Sequence, residues 1–423
     1  MGAHLTLPGV RLPTAILAAL LAATVPQQPA RTQIHFGHLW DGSRVLDDVL
    51  VAIEGDRITS VTDRQKQPPA DAVDLRRYTA IPGLIDLHTH VTYYWDRKPG
   101  TTPFTQNARP AVTVFLAQEN ARRTLETGVT TIRDLGASAD KDFAMRDLVS
   151  MGAMIGPRMF VSGQGISAGR GGGAPNPAAR AAAAQERIKA GADWVKVYGS
   201  RGSFDSVDTQ QTIAGEEMQA IVEAAHALGR KVAIHSYGPS GVKDAVRAGA
   251  DSVEHGIDLD DETIAEMVRR RTVWVPTIDH NRYYVEARDE YRFAPEKIAP
   301  LQDYIARNLA STARAFKAGV RIGMGSDAVY SMFGQNTREL EWFVKAGMTP
   351  AQALATATTT AAELLGEQER LGRLAPGFTA DIVAIEGKPL ENIRDLITGV
   401  RWVMKDGRVV VGNPGQARPR SER

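Results

Sequence analysis

From Thr32 to Thr79 short apolar runs alternate with polar turns, the period-two pattern of half-buried strands. Three strands are predicted there: Gln33-Ile34-His35-Phe36, Asp48-Val49-Leu50-Val51-Ala52-Ile53 and Arg57-Ile58-Thr59-Ser60-Val61. The turn Glu54-Gly55-Asp56 sets the last two up as a hairpin. A matching set closes the chain: Ala380-Asp381-Ile382-Val383-Ala384-Ile385, Val400-Arg401-Trp402-Val403-Met404 and Arg408-Val409-Val410-Val411, the last pair joined by Lys405-Asp406-Gly407. Chain ends commonly lie close together, so residues 31–81 and 368–423 are expected to build one small β-sandwich domain.

Between them, over residues 82–367, a different unit repeats. A helical stretch ends in a small residue and Gly, and a short apolar strand follows that finishes on a polar residue. Examples are Thr127-Gly128-Val129-Thr130-Thr131-Ile132-Arg133-Asp134, Ala190-Gly191-Ala192-Asp193-Trp194-Val195-Lys196, Ala248-Gly249-Ala250-Asp251-Ser252-Val253-Glu254-His255 and Ala318-Gly319-Val320-Arg321-Ile322-Gly323-Met324-Gly325-Ser326-Asp327. Glycine is the usual left-handed residue closing a helix. Adding Leu84-Ile85-Asp86-Leu87-His88-Thr89-His90, Arg158-Met159-Phe160-Val161-Ser162, Lys231-Val232-Ala233-Ile234-His235 and Thr272-Val273-Trp274-Val275-Pro276-Thr277 makes eight strands, with helical patterns between them, for instance over 216–228 and 261–270. Eight βα units predict an α/β protein built on a (β/α)8 TIM barrel, in which chemistry sits at the strand C-terminal ends.

The N-terminus carries a third pattern. Residues 12–25 are an apolar block after Arg11, too short to span a bilayer and matched to the core of a secretory signal. Residues 1–30 are therefore expected to be a signal peptide removed near Ala30, delivering the protein to the periplasm or medium. No later segment is long and apolar enough to span a membrane.

Composition then removes whole classes of function. Lys+Arg 50 against Asp+Glu 49 leaves a net charge of +1, which offers no attraction for nucleic acid or an anionic membrane. With no cysteine, disulfides, thiolate nucleophiles and Cys-based zinc sites are excluded, and any transition metal must sit on His, carboxylate or an equivalent ligand.

Of nine histidines, four fall at strand ends. His88 and His90, at i and i+2 after Pro82-Gly83-Leu84-Ile85-Asp86-Leu87, point to the same side of a strand. Strand four then ends near Lys196, strand five on His235, strand six on His255 and strand eight on Asp327. A barrel would aim all of them at one mouth, and four imidazoles suit zinc-like ions better than magnesium or calcium. Lys196 is the odd member, since an ammonium is repelled by cations. It either pairs with Asp327 or lines the barrel, or it takes up CO2 as a carbamate, an anion able to bridge two metals.

These positions resemble the amidohydrolase superfamily, whose binuclear members carry His-x-His on strand one, a carboxylated lysine on strand four, histidines on strands five and six and an aspartate on strand eight. Leu374-Ala375-Pro376-Gly377-Phe378-Thr379-Ala380-Asp381-Ile382-Val383 is similar to that family's flanking β-sandwich. The resemblance implies two divalent ions, zinc being expected: one on His88, His90, carbamylated Lys196 and Asp327, the other on Lys196, His235 and His255. It implies hydrolysis by a metal-bridging hydroxide, with Asp327 passing a proton to the leaving amine.

The words around the ligands look most like the dipeptidase branch, which includes prolidases, carboxypeptidase-like enzymes and relatives that cleave the amide of ochratoxin. In that branch a tyrosine two residues after the strand-five histidine polarises the carbonyl, which Tyr237 matches. The branch often has Thr-Gly-Gly-His-Gly after strand three, whereas this chain has Ser167-Ala168-Gly169-Arg170-Gly171-Gly172-Gly173-Ala174-Pro175, without histidine.

The expected substrate is a small amide, a dipeptide or N-acyl amino acid, and a homo-oligomer is the expected assembly. Tyr198, Arg201, His280 and Arg282 are candidate substrate contacts, the arginines because each follows a strand and could clamp an α-carboxylate. The stretch 169–173 is expected to close over the acyl side. Two enzymatic alternatives share the fold. Mononuclear deaminases usually place a glutamate soon after the strand-five histidine, which Ser236-Tyr237-Gly238-Pro239 lacks, and cyclic-amide hydrolases of the imidazolone type do without a bridging lysine. A non-catalytic binding barrel is the third alternative, and such relatives typically lose ligands.

Overall fold

The computed structural model describes residues 31–98, 101–103, 109–168, 176–203 and 206–412. The expected signal segment 1–30 and the stretch 169–173 lie outside these residues.

The chain begins with β1 (Arg31–Trp40), β2 (Val45–Glu54), β3 (Arg57–Thr62) and β4 (Val73–Pro82). Then come eight strands separated by helices: β5 (Leu84–Thr89), β6 (Val129–Asp134), β7 (Arg158–Val161), β8 (Trp194–Tyr198), β9 (Lys231–His235), β10 (Ser252–Glu254), β11 (Val273–Val275) and β12 (Arg321–Ile322). It closes with β13 (Ile382–Ile385), β14 (Val400–Lys405) and β15 (Arg408–Val411).

The terminal strands pair in the order β15-β14-β13-β4-β1-β2-β3. One continuous sheet, folded on itself, stands where two packed sheets were expected. Its ends approach where the Ile58 N–H donates to the Phe378 carbonyl at 2.9 Å, and Phe36 of β1 meets Trp402 of β14 edge-on at 6.4 Å. Between them Ile34, Val49, Val51, Ile382 and Met404 are buried from water, the main source of its stability. The sequence pattern missed β4, which joins the two ends of the chain by pairing with β1 on one side and β13 on the other. Adjacent exposed Arg76 and Arg77 interrupt its alternation, and the partner strand bulges opposite, at Gly37. A Cβ there would lie 2.2 Å from the Arg76 carbonyl oxygen.

The middle strands form two all-parallel sheets, β5-β6-β7 and β12-β11-β10-β9-β8. Isolated parallel bridges join their edges, Ile166 with Val197 and Thr89 with Ala328. The Leu87 N–H also donates to the Met324 carbonyl at 2.9 Å. Every residue of β5 and β6 is buried, as expected of strands covered on both faces. Helices fall where their patterns put them, at Gly215–Ala227 and Asp261–Arg270, the latter capped by Asp260 accepting from the Thr263 N–H at 2.7 Å. Among the described residues no helix is long and apolar enough to cross a membrane.

Candidate metal centre

Strand ends β5, β8, β9 and β10 and the segment after β12 bring His88, His90, Lys196, His235, His255 and Asp327 into one buried cluster. The ligand atoms of His88, His255 and Asp327 lie within 4.8 Å of one another. Asp327 is the hub: its Oδ1 is 3.1 Å from His90 Nε2 and 3.5 Å from His88 Nε2. Lys196 Nζ lies 3.4 Å from His88 Nε2. His235 and His255 stack edge-on, with ring centres 4.4 Å apart.

Each imidazole is held from behind. His88 Nδ1 is 2.9 Å from Glu254 Oε2, His90 Nδ1 is 3.1 Å from the Gly136 carbonyl, and His255 Nδ1 is 2.6 Å from Thr277 Oγ1. The His235 ring hydrogen-bonds the Gly202 backbone, and its buried Nε2 has no partner among the described residues. A ring with one nitrogen fixed and the other aimed inward is the arrangement a metal-binding histidine needs. Protonation states agree. Burial, reinforced by nearby Lys196, pushes His235 down to about 3 and His88 well below its usual value. Burial and neighbouring His235 do the same to His255. Burial opposes ionisation of Asp327, but His280, His88 and His90 outweigh it and hold the carboxyl well below the usual range. Burial lowers Lys196 to about 8. Neutral His88, His235 and His255, an ionised carboxylate and a readily deprotonated amine form a donor set that fits divalent metal.

Several residues that organise this cluster carried no assigned role in the sequence. Glu254 sits between His88 and a fully buried Arg133, whose guanidinium donates to Glu254 Oε1 and Ser252 Oγ, each at 2.8 Å, and to the Leu87 carbonyl at 2.6 Å. Asp86 accepts from the His88 N–H at 3.2 Å, the Ser326 N–H at 2.9 Å, Ser326 Oγ at 2.5 Å and Asn336 Nδ2 at 3.0 Å, tying β5 to the turn that presents Asp327. The backbone itself is strained there. His255 and Thr277, just beyond β10 and β11, and Asp327, five residues past β12, all take left-handed φ, at 65°, 50° and 51°, a conformation non-glycine residues hold only when their surroundings impose it.

Of the other candidates, His280 joins the cluster, with Nε2 3.2 Å from Asp327 Oδ2 and Nδ1 2.8 Å from the Asp327 carbonyl. The Tyr237 ring lies 4.8 Å from that of His255, and its buried hydroxyl faces the Asn281 amide without a hydrogen bond of good geometry. Tyr198 packs edge-on to His235 at 5.7 Å. The two arginines are not brought in. Arg201 is exposed. Arg282 lies on the helix Ile278–Glu286, its guanidinium bound by Asp279 at 2.9 and 2.5 Å and by Glu286.

Comparisons with known proteins point to one family. The model of the Amidohydrolase family matches residues 79–410. Ochratoxinase of Aspergillus niger is 29% identical, over 89% of this chain and 84% of that protein. The structure of a Xaa-Pro dipeptidase with methionine bound in its active site superposes with a TM-score of 0.82 at 30% identity, covering 90% of this chain and 100% of that one. A prolidase complexed with N-methylphosphonate-L-proline gives 0.79 at 28% identity, covering 91% and 100%.

Proposed function

Because this chain belongs to the amidohydrolase family, in its prolidase- and ochratoxinase-like branch, we propose that it is a binuclear metal-dependent hydrolase of dipeptides or N-acyl amino acids. The observation that carries this reading is the set of buried imidazoles, fixed from behind and converging on Asp327 and Lys196. The eight parallel strands are taken as a (β/α)8 barrel over residues 82–367, flanked by the domain from both chain ends.

His88, His90 and Asp327 would hold one ion, His235 and His255 the other, with a carbamate on Lys196 shared between them. When bound, such ions acidify water and polarise the scissile carbonyl. The remaining roles fall to this chain's own groups. Asp327 takes the proton released as water oxygen adds to the carbonyl carbon, and delivers it to the amide nitrogen as the C–N bond breaks. His280 orients the second carboxylate oxygen of Asp327. Burial raises the Tyr237 hydroxyl well above its usual pKa, so it stays a donor at neutral pH, suited to the carbonyl oxygen. Arg282 is committed to Asp279, so a clamp on a substrate carboxylate would fall to Arg201, which lies exposed outside the cluster and would have to turn in when substrate binds.

The test is hydrolysis of a panel of dipeptides and N-acyl amino acids by protein purified with zinc and bicarbonate, alongside metal analysis. About two ions per chain and release of a free amino acid are expected. Metal-free protein, or no turnover of any amide in the panel, would refute the reading. Equal turnover of an N-acyl amino acid and its C-terminal amide would remove the carboxylate clamp alone.

A further inference from the structure

At the opposite ends of the parallel strands, under β9 to β12, lies a cavity of about 370 Å3. Lys231 opens β9 and His235 closes it four residues later, so ~13 Å of strand separates the cavity from the metal-ligand cluster. The charged walls are Lys231, Arg270, Arg271, Arg321, Asp251 and Glu363. Four cations against two carboxylates leave 4 − 2 = +2, counting the lining His226 as neutral.

Both carboxylates are already engaged. Glu363 pairs with Arg321, and Asp251 accepts from the Val232 N–H at 2.8 Å and lies 2.8 Å from His226 Nε2. Lys231 is half-buried, and its ammonium donates to a neutral group, the Leu364 carbonyl, at 2.5 Å. Burial lowers its pKa; the nearby carboxylate of Asp251 works against that, and the positive charges of Arg133 and Arg321 add to it. Arg270 is paired too, with Glu266 outside the lining, so among the described residues Arg271 and Lys231 are the wall cations that make no ion pair.

Arg271 supplies an independent observation. The turns entering β6, β7, β8, β9, β10 and β12 each place a glycine at positive φ: Gly128, Gly152, Gly191, Gly229, Gly249 and Gly319, at 85°, 76°, 106°, 67°, 90° and 91°. The turn entering β11 has Arg271 instead, in the same left-handed conformation at 61°. Any side chain is disfavoured there relative to glycine. The one of these seven turns that departs from glycine puts an exposed arginine in the cavity lining.

We propose that this cavity is an anion site that takes a dianionic oxyanion of the phosphate class, free or as the charged group of a small metabolite, bound by Arg271 and Lys231. Guanidinium groups match the oxygens of such a group in pairs, and the ammonium adds a point charge. The site is remote from the amide-hydrolysing cluster and does not depend on that reading.

The experiment compares thermal unfolding and calorimetric titration of the full chain in inorganic phosphate and in sodium chloride of equal ionic strength. Wild-type protein should show a saturable rise in Tm with phosphate. Arg271→Gly relieves the backbone, so it should fold at least as well in chloride. Its phosphate affinity should nevertheless drop by about tenfold or more, the scale of a lost charge-assisted contact. Lys231→Met should weaken phosphate binding in the same direction. No saturable phosphate effect on wild type would overturn the proposal. So would equal effects on all three proteins, which would put the anion at the metal cluster or elsewhere. A response to succinate exceeding that to phosphate would overturn the phosphate class.

Discussion

Lys196 must lose a proton before it can become a ligand, and its surroundings set how easily that happens. The side chain is 1% exposed. Burial, with Arg133 adding to it against Glu254 and Asp327, lowers its pKa from 10.5 to about 8. Carbamate formation uses the neutral amine: the nitrogen lone pair bonds to the carbon of CO2 and a proton leaves to solvent. At pH 7 roughly a tenth of such an amine is neutral, against about three in ten thousand for an ordinary lysine, an advantage of ~300-fold. The assay strips the metal, fixes dissolved CO2, adds zinc, and follows the carbamate carbon by 13C NMR together with recovery of activity. The rate should rise about tenfold per unit from about pH 6 to about 8 and then level off. A rate that ignores pH over that window, or still climbs tenfold per unit above about pH 9, would refute the reasoning. The linked stability change has a definite sign. Between about 8 and 10.5 the unfolded chain binds the proton that the folded lysine has lost, so metal-free protein gains stability as pH rises through that range.

Glu254→Gln removes the carboxylate behind His88 and the countercharge of Arg133. Zinc affinity should drop by roughly 10–100-fold in a chelator competition, and the buried arginine left unpaired should destabilise the fold by roughly 3–5 kcal/mol in denaturant titration; unchanged metal affinity would remove Glu254 from its orienting role. Asp327→Asn should keep much of its metal but lose ~10²–10⁴ in kcat, and a near-wild-type rate would show that another base works. If residues 1–30 are an export signal, mass spectrometry of the native protein should find an N-terminus near Arg31, outside the cytosol, and light scattering of that mature form should show more than one chain. A full-length cytosolic protein would rule out export.

Which parts of the chain could be read in advance depends on whether their causes were local. The β5, β6 and β9 patterns fall on observed strands within about one residue, because each is a short apolar run that is buried and ends in an abrupt turn. β12 shrinks to Arg321–Ile322 although the apolar pattern runs further. Gly323 and Gly325 pack directly against Leu87, Val275 and His88, and the Met324 N–H turns to the Thr356 carbonyl at 3.1 Å and not to a neighbouring strand. The helix Ile278–Glu286 was not legible either. Its first N–H groups, of Ile278 and Asp279, are satisfied at 2.9 and 2.7 Å by Glu339, a buried carboxylate about sixty residues away that no local signal links to them. Once that helix exists, Asp279 and Glu286 stand at i−3 and i+4 from Arg282, on its own face. The guanidinium is therefore tied up, where a loop arginine would have been free to meet substrate.

The same distinction separates the cluster from its supports. His88, His90, Lys196, His235, His255 and Asp327 could be picked out because each ends an apolar strand and the strands share a direction. Arg133 and Glu254 also sit inside such strands. Taken singly they read as polar faults, since a buried charge is costly unless it is paired. Their partner relation spans 121 residues and becomes visible only when β6 and β10 face each other across the strand interior. Asp86 follows the same logic: one carboxylate ties the His88 backbone to the Ser326 turn, so the segments that present His88 and Asp327 cannot shift independently. The left-handed residues His255, Thr277 and Asp327 show what that network resists. Three strained turns in succession would relax if the ring contacts and carboxylate ties were cut. A buried polar layer behind the histidines therefore fixes one nitrogen each of His88, His90 and His255, and leaves the other nitrogens of His88 and His90 turned toward Asp327 and Lys196.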